Sequence, residues 1–321
     1  MAHIIPTIDI SSFISDPSSP AAAEVVSEVQ KACTTFGFFQ ITGHGIPYHL
    51  QREALDGAKA FFALPLEEKR KLDRATVPGA NARGYEVLKS QVQLSHTGKA
   101  ADSKEGYYVG FDISPNDPCI KEHPRIQGPN LWPPSSILPY STFKEPLQRY
   151  HTALVALIRK MFLIVHAGLP NVDFAIFEDF MANYPIALLS PKHYPPSDTE
   201  HGAIGSGEHT DWGALTLLLQ DGNPGLEIYY DNAWVPVAPT RDAYVVNIGD
   251  MMYKWTSGKY KSTLHRVVAP KGNVHRYSMP FFFNGNPAFR IIPFEGSQDG
   301  GQVQTVEEHL LERLGKTMVK A

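Results

Sequence analysis

The stretch Gly207-Glu208-His209-Thr210-Asp211-Trp212 carries the pattern from which both the fold and the chemistry can be inferred. In an extended strand, residues two apart point to the same face, so His209 and Asp211 can present an imidazole and a carboxylate to one point in space. The same pair also occurs as a surface ion pair or a structural hydrogen bond, because so short a motif arises often by chance. A metal site therefore requires a further ligand elsewhere in the chain.

A third candidate ligand is His265, which lies in the strand-like run Tyr260-Lys261-Ser262-Thr263-Leu264-His265-Arg266-Val267. Two imidazoles and one carboxylate on one face of an octahedral ion leave three positions open, which is the arrangement that oxygenases use to hold Fe(II). On spacing alone, His265 could instead be a buried, hydrogen-bonded histidine. If the metal interpretation holds, His209, Asp211 and His265 are both the metal ligands and the catalytic residues.

A candidate anion receptor follows in Arg276-Tyr277-Ser278. Arg276 and Ser278 are two apart, so a guanidinium and a hydroxyl share one strand face and can bind a carboxylate by a bidentate pair plus one hydroxyl bond. Taken alone, such an arginine is more often a solvated charge. The ordered set of His-x-Asp, then His, then Arg-x-Ser favours a metal site beside a carboxylate receptor.

The surrounding chain predicts a β core packed by helices. Short apolar runs separated by turn residues between Ala187 and Phe294 favour a sandwich or jelly roll; the runs are Leu215 to Leu219, Leu226 to Tyr230, Ala243 to Ile248 and Ser278 to Phe283. Helical spacing of apolar residues predicts four helices, over Ala21 to Thr35, Leu50 to Ala63, Phe143 to Gly168 and Val306 to Leu314. We expect a charged turn at Glu67 to Lys71, and long loops from Val77 to Ser141 because Pro, Gly, Asn and Ser are frequent there.

Composition limits the possible functions. The 321 residues are 43% hydrophobic, which supports a continuous core, and the formal charge of −4 offers no broad cationic surface for nucleic acid. Cys33 and Cys119 are the only cysteines, so neither a disulfide framework nor a thiolate zinc site is indicated. Without a leader-like or membrane-spanning pattern, we expect a cytoplasmic protein of one catalytic domain, 1–321, with no membrane partner and an undetermined oligomeric state.

The order of these motifs resembles the isopenicillin N synthase-like branch of the 2-oxoglutarate and Fe(II)-dependent dioxygenases over nearly the full chain. Its N-terminal region, expected at 4–125, and its β-helix core, expected at 180–295, carry the matching segments. These segments are Ile5-Pro6-Thr7-Ile8-Asp9, Phe36-Gly37-Phe38-Phe39, His44-Gly45-Ile46-Pro47, Phe61-Phe62-Ala63-Leu64-Pro65, Lys104-Glu105-Gly106-Tyr107-Tyr108, His193-Tyr194-Pro195, His209 to Leu218, Val246-Asn247-Ile248-Gly249-Asp250, Lys261 to Val267 and Arg276-Tyr277-Ser278. The Asp211-Trp212 pair is more similar to microbial and fungal members than to plant ones.

The resemblance implies a double-stranded β-helix with His209, Asp211 and His265 as iron ligands. It also implies that Arg276, Ser278 and Tyr194 hold the distal carboxylate of 2-oxoglutarate. The expected reaction couples oxidative decarboxylation of 2-oxoglutarate by O₂ to hydroxylation, desaturation or a related oxidation of a small organic substrate, such as a secondary metabolite.

Three alternatives remain open at this point. Isopenicillin N synthase itself and the ethylene-forming plant oxidase are similar in sequence but do not use 2-oxoglutarate. A binding protein that keeps the β-helix pocket without turnover is disfavoured by the intact ligand set. A hydrolytic zinc site fits less well because the chain has no His-Glu-x-x-His helix.

Four residues are candidates for the substrate pocket: Tyr107, Lys192, Trp212 and Phe282. Phe282 lies four beyond Ser278 and shares its strand face unless Pro280 introduces a bulge. The aromatic residues could equally be plain core. Lys192 shares a face with Tyr194, but a solvated lysine is the favoured interpretation because lysines are rarely buried without a partner.

Overall fold

A computed structural model of the chain describes residues 5–88, 92–95, 98–196, 204–295 and 303–317. Small parts of the regions expected at 4–125 and 180–295 therefore lie outside the described residues. The strands in the described residues are β1 Thr7–Asp9, β2 Phe38–Thr42, β3 Gly84–Glu86, β4 Val92–Ser95, β5 Gly98–Ala101, β6 Glu105–Tyr108, β7 Ile186–Leu189, β8 Lys192–Tyr194, β9 Ile204–His209, β10 Leu215–Gln220, β11 Leu226–Tyr230, β12 Ala233–Pro236, β13 Tyr244–Ile248, β14 His265–Val268 and β15 Arg276–Gly285. The helices are α1 Ser11–Ser15, α2 Pro20–Thr35, α3 Tyr48–Phe62, α4 Leu66–Arg70, α5 Pro118–Glu122, α6 Lys144–Ala167, α7 Ala175–Phe180, α8 Asp250–Trp255 and α9 Val306–Thr317.

Two sheets form the double-stranded β-helix. The main sheet runs in the order β1-β2-β13-β10-β15-β8-β6-β3, with β7 also paired to β15, and the smaller sheet runs β12-β11-β14-β9. Apolar side chains from both sheets pack together, among them Phe38 and Val245 from the main sheet and Ile228 and Val267 from the smaller one. The jelly-roll prediction is confirmed, and the space between the sheets is where the candidate site lies.

Helices cover the other face of the main sheet. The central helix α6 presents Leu154, Ile158, Met161 and Phe162 at helical spacing, and all four are buried. It packs against α2 and α3. By length and composition α6 is also the one helix of the described chain that could cross a membrane, but the burial of its apolar face is that of a core helix.

The sequence predicted the large helices and missed the small elements. The helices predicted at residues 21, 50, 143 and 306 are present as α2, α3, α6 and α9. The charged turn expected at Glu67 to Lys71 is wrong, because Leu66–Arg70 forms α4 with its acidic residues in the first turn and its basic residues in the last, as the helix dipole favours.

The long loops expected between Val77 and Ser141 are only partly present. Two short strands from this segment, β3 and β6, extend the main sheet beyond β8. Their three or four residues are too few to give a sequence signal. β6 is held by pairing with the distant strand β8, where Glu105 lies opposite His193, and β3 in turn pairs with β6. This extension contributes the wall of the candidate site that the sequence did not predict.

Candidate active site

The three candidate metal ligands converge between the sheets. His209 ends β9, His265 begins β14, and the two residues lie directly opposite each other in the antiparallel pairing. Asp211 follows two residues after β9 ends. One ligand atom from each side chain lies within 4.8 Å of the others, and Asp211 Oδ1 lies 3.9 Å from His209 Nε2 and 3.6 Å from His265 Nε2.

Backbone carbonyls orient both imidazoles. His209 Nδ1 donates to the Gly207 carbonyl at 2.7 Å and His265 Nδ1 donates to the Thr263 carbonyl at 3.0 Å. Since a carbonyl can only accept, each neutral ring carries its proton on Nδ1 and turns the lone pair of Nε2 toward Asp211. Burial and the neighbouring His265 lower the pKa of His209 to about 4, which favours the neutral, metal-binding form.

The main sheet holds the carboxylate of Asp211. Thr216 Oγ1 on β10 and Asn247 Nδ2 on β13 donate to Oδ2 at 2.5 and 2.7 Å, which leaves Oδ1 turned toward the two imidazoles. Burial acts to raise the pKa of Asp211, but the two histidines and these hydrogen bonds lower it below its ordinary value. Two neutral imidazoles and one carboxylate are a donor set that fits Fe(II).

Arg276 is fully buried and only partly satisfied. Its Nε donates to the Asn223 carbonyl at 3.2 Å and one terminal nitrogen, Nη2, donates to Gln220 Oε1 at 2.9 Å. The other, Nη1, is buried without a hydrogen-bond partner in the described part of the chain. A buried guanidinium nitrogen without a partner is costly unless an anion completes it, so the geometry fits a carboxylate such as that of 2-oxoglutarate.

Tyr194 and Ser278 stand beside this guanidinium. Tyr194 lies opposite Arg276 in the β8 to β15 pairing, and the Arg276 guanidinium lies 5.0 Å from the centre of its ring. The prediction that Arg276 and Ser278 share a face is confirmed in the structure, because both line the same cavity. The cavity has a volume of about 190 Å³ and also contains the three candidate metal ligands.

Two of the aromatic residues proposed for the pocket line it, and one does not. Trp212 and Phe282 both contribute to the cavity wall. Pro280 introduces no break in the pairing of β10 with β15, so the alternation from Arg276 to Phe282 holds. Tyr107 does not line the cavity: it packs against Phe61 and Phe143 under the helices, and its neighbour Tyr108 faces the cavity instead.

The expectation that Lys192 is solvated is wrong. Lys192 is only 4% exposed and lines the cavity. Its Nζ donates to Glu86 Oε2 and to the Tyr108 hydroxyl, at 2.8 Å in each case. A lysine can be buried here because Glu86, on β3, supplies the counter-charge.

Several residues that shape the site were not assigned a role from the sequence. Lys104, which donates to Ser206 Oγ at 3.0 Å and pairs with Asp102, lines the cavity together with Arg74. Leu310 and Leu314 of α9 form another part of the wall. Lys104 and Asn247 belong to the segments that match the family, but the sequence did not show that their side chains line the cavity.

Comparison with known proteins identifies relatives of this chain. Residues 5–135 match the family described as the non-haem dioxygenase in morphine synthesis N-terminal domain, and residues 177–285 match the 2OG-Fe(II) oxygenase superfamily. A 2-oxoglutarate-dependent dioxygenase of Monascus ruber is 41% identical over 98% of this chain and 95% of its own length. The chain belongs to the 2-oxoglutarate and Fe(II)-dependent oxygenase superfamily. Clavatol oxidase of Penicillium crustosum is 36% identical over 97% of this chain and 95% of its own.

Solved structures of similar oxygenases contain the co-substrate. Neurospora crassa T7H in complex with alpha-KG, which is 2-oxoglutarate, has a TM-score of 0.82 and 27% identity, covering 97% of this chain and 96% of T7H. The same protein with alpha-KG and thymine has a TM-score of 0.81 and 25% identity, covering 97% and 96% of the two chains.

These relatives support 2-oxoglutarate use over the alternatives that do not need it. The chain is a 2-oxoglutarate-dependent, non-haem Fe(II) dioxygenase, and Fe(II), 2-oxoglutarate and O₂ are its cofactor and co-substrates.

Proposed function

We propose that His209, Asp211 and His265 hold the Fe(II), and that Arg276, with Ser278 and Tyr194, binds the carboxylate of 2-oxoglutarate farthest from the metal. One observation carries both assignments. The lone pairs at the centre of the triad belong to the same cavity as Arg276 Nη1, which has no hydrogen-bond partner among the described residues. The site therefore has a place for a divalent cation and a place for an anion within the reach of one small molecule.

The residues of this chain supply orientation and exclude water. Iron with bound 2-oxoglutarate provides the oxidising chemistry when O₂ binds. Asp211 is fixed by Thr216 and Asn247, so its free oxygen keeps one direction. Arg276 fixes the far end of the co-substrate, and the apolar side chains of Leu310 and Leu314 cover one side of the cavity.

We infer that the substrate is a small organic molecule, such as a secondary metabolite, that binds beside Trp212 and Phe282. Both side chains line the cavity, whose wall is largely apolar apart from a few charged groups. The fungal dioxygenases that resemble the chain over almost their whole length support a substrate of this size.

The direct test is anaerobic titration of the metal-free protein with Fe(II), followed by measurement of succinate release in the presence of 2-oxoglutarate, O₂ and a panel of small organic compounds. We expect one iron per chain and succinate release that depends on both iron and 2-oxoglutarate. A substoichiometric titration, or succinate release that survives loss of the triad, would contradict the proposal.

Replacing Asn247 by leucine should weaken Fe(II) binding by about tenfold to a hundredfold, because partners that orient a metal ligand typically contribute that much. Leucine keeps the branching of Asn247 at Cγ but removes the donor to Asp211 Oδ2. Anaerobic Fe(II) titration measures the effect. Asn116→Leu, at an exposed loop position, is the control and should bind iron normally; equal affinity in both variants would refute a role for Asn247.

A further inference from the structure

A row of paired residues extends the cavity wall away from the 2-oxoglutarate strand. Ser278 on β15 lies opposite Lys192 on β8, Lys192 lies opposite Gly106 on β6, and Gly106 lies opposite Glu86 on β3. Four neighbouring strands therefore present Ser278, Lys192, Gly106 and Glu86 side by side. The row connects the candidate carboxylate receptor with a second charged region.

Gly106 lets Lys192 and Glu86 meet across the intervening strand. Lys192 Nζ reaches Glu86 Oε2 at 2.8 Å by passing over Gly106. A Cβ at position 106 would lie 2.7 Å from Lys192 Nζ, closer than such atoms approach, and 3.1 Å from Glu86 Oε2, which is a tight contact. A side chain at this position would force the end of Lys192 to shift, so glycine leaves room for the ion pair in its observed geometry.

Arg74 adds a second cation to the same region. Its Nη1 lies 3.8 Å from Glu86 Oε1, and its guanidinium stacks over the ring of Tyr108 at 4.1 Å. Its side chain is only 10% exposed and lines the cavity. Among the described residues it makes no side-chain hydrogen bond, so its donors are available to a ligand. We call Arg74 and Lys192 together the cationic wall.

The described residues that line the cavity, together with their ion-pair partners, carry more positive than negative charge. Its described lining residues include four cations: Arg74, Lys104, Lys192 and Arg276. Three carboxylates balance them: Asp211 in the lining, Asp102 paired with Lys104, and Glu86 paired with Lys192. Burial acts to raise the pKa of Glu86, but Lys192 and Arg74 lower it to about 2, so this carboxylate is ionised. Since the charges of Fe(II) and the 2-oxoglutarate dianion would cancel, one positive charge remains among these described residues.

We propose that the substrate of this enzyme carries an acidic oxygen, a carboxylate or an ionised phenol, and that the cationic wall binds it. This inference rests on the proposed function, because the charge count assumes that iron and 2-oxoglutarate occupy the rest of the cavity. Arg74 supplies free donors, and Lys192 has one ammonium hydrogen beyond those given to Glu86 and Tyr108. Apolar neighbours such as Ile126 and Leu188 suit the remaining body of the molecule.

The test uses two matched pairs of probes with the iron-loaded enzyme under anaerobic conditions and saturating 2-oxoglutarate, so that Arg276 is already occupied. Calorimetry compares benzoate with benzamide for the carboxylate, and 4-nitrophenolate with 4-nitroanisole for the phenolate. We expect at least one anion to bind about tenfold or more tightly than its neutral partner. The pair that shows the preference identifies the acidic group.

Three variants separate a binding role from a structural one. Arg74→Gln and Lys192→Met each leave Glu86 with one cation, so both should reduce the anion preference about tenfold. Glu86→Gln leaves both cations unbalanced, so it should raise anion affinity. A purely structural cluster would lose affinity in all three variants. Arg52→Gln is the control, since Arg52 is an exposed arginine that pairs with Asp56 at a similar distance, 3.5 Å.

The half-saturation for 2-oxoglutarate separates failure of this inference from failure of the proposed function. It should stay unchanged in Arg74→Gln and Lys192→Met if Arg276 holds the co-substrate. A tenfold rise there would mean that the cationic wall binds 2-oxoglutarate, which overturns both assignments. Normal 2-oxoglutarate binding with no anion preference in the wild-type enzyme, or with a preference that survives Arg74→Gln, would overturn the substrate inference alone.

Discussion

Replacing Asp211 by alanine should abolish substrate oxidation and iron binding while the protein stays folded. The carboxylate is the one anionic ligand of the triad, and its Oδ1 faces both imidazoles. Its loss leaves two neutral nitrogens, which hold a divalent ion far less firmly. His209→Ala and His265→Ala should have the same effect on oxidation, because each removes one of the three donors.

Asp211→Ala should also lose part of its folding stability. The donors on Thr216 and Asn247 lose their acceptor, which costs on the order of 1–3 kcal/mol for each buried group left unsatisfied. Anaerobic iron titration, product formation and thermal unfolding are the measurements, with Asp56→Ala on the exposed surface of α3 as the control. If Asp211→Ala kept most of its oxidation at low iron, the triad assignment would be wrong.

Replacing Arg276 by lysine should raise the half-saturation for 2-oxoglutarate by one to two orders of magnitude, or roughly 1.4 to 2.8 kcal/mol. The Arg276 fork is held by Asn223 and Gln220, so that Nη1 is left for the co-substrate. A lysine ammonium is a point charge that cannot keep these bonds and also make a bidentate contact. Iron affinity and the affinity for substrate should change little.

The matched control for this experiment is Arg266→Lys. Arg266 is on β14 beside the proposed metal ligand His265, but its Nε pairs with Glu227 at 2.8 Å and it does not line the cavity. The control should bind 2-oxoglutarate as the unchanged enzyme does. If Arg276→Lys also showed an unchanged half-saturation, the co-substrate carboxylate would have to be placed elsewhere in the cavity.

The sequence was sufficient to predict those features that depend on residues close together in the chain. His209 and Asp211, like Arg276 and Ser278, are two apart on or beside strands, so that alternation alone predicted which pairs would share a face. The helices α2, α3 and α6 followed from the spacing of apolar residues over many turns. At the start of α9, Thr305 and Glu308 stand three apart, the spacing of a capping box, and the structure contains it: the Thr305 amide donates to Glu308 and the Glu308 amide donates to Thr305 Oγ1.

Tyr107 and Lys192 show where local reasoning ended. The alternation of side chains along a strand predicts that Tyr107 and Tyr108 face opposite sides of β6, but it does not predict which of them faces the cavity. That choice depends on β6 pairing with β8 and on the helices that bury Tyr107 against Phe61. Likewise, Lys192 could be assigned as buried only once Glu86 was known to lie beside it.

The sequence by itself therefore determined the fold class, and it predicted the order of the chemical groups and the two charged centres that we propose for iron and 2-oxoglutarate. Only the tertiary structure showed which other side chains line the same cavity, above all Lys192 and its partner Glu86. Lys192 and Glu86 are separated by more than a hundred positions. They meet because β3, which carries Glu86, pairs with β6, and β6 pairs with β8; β3 and β6 have too few residues to be predicted from the sequence. The physical reason is that side-chain alternation is a property of neighbouring residues, whereas the pairing of distant strands depends on the packing of the whole chain.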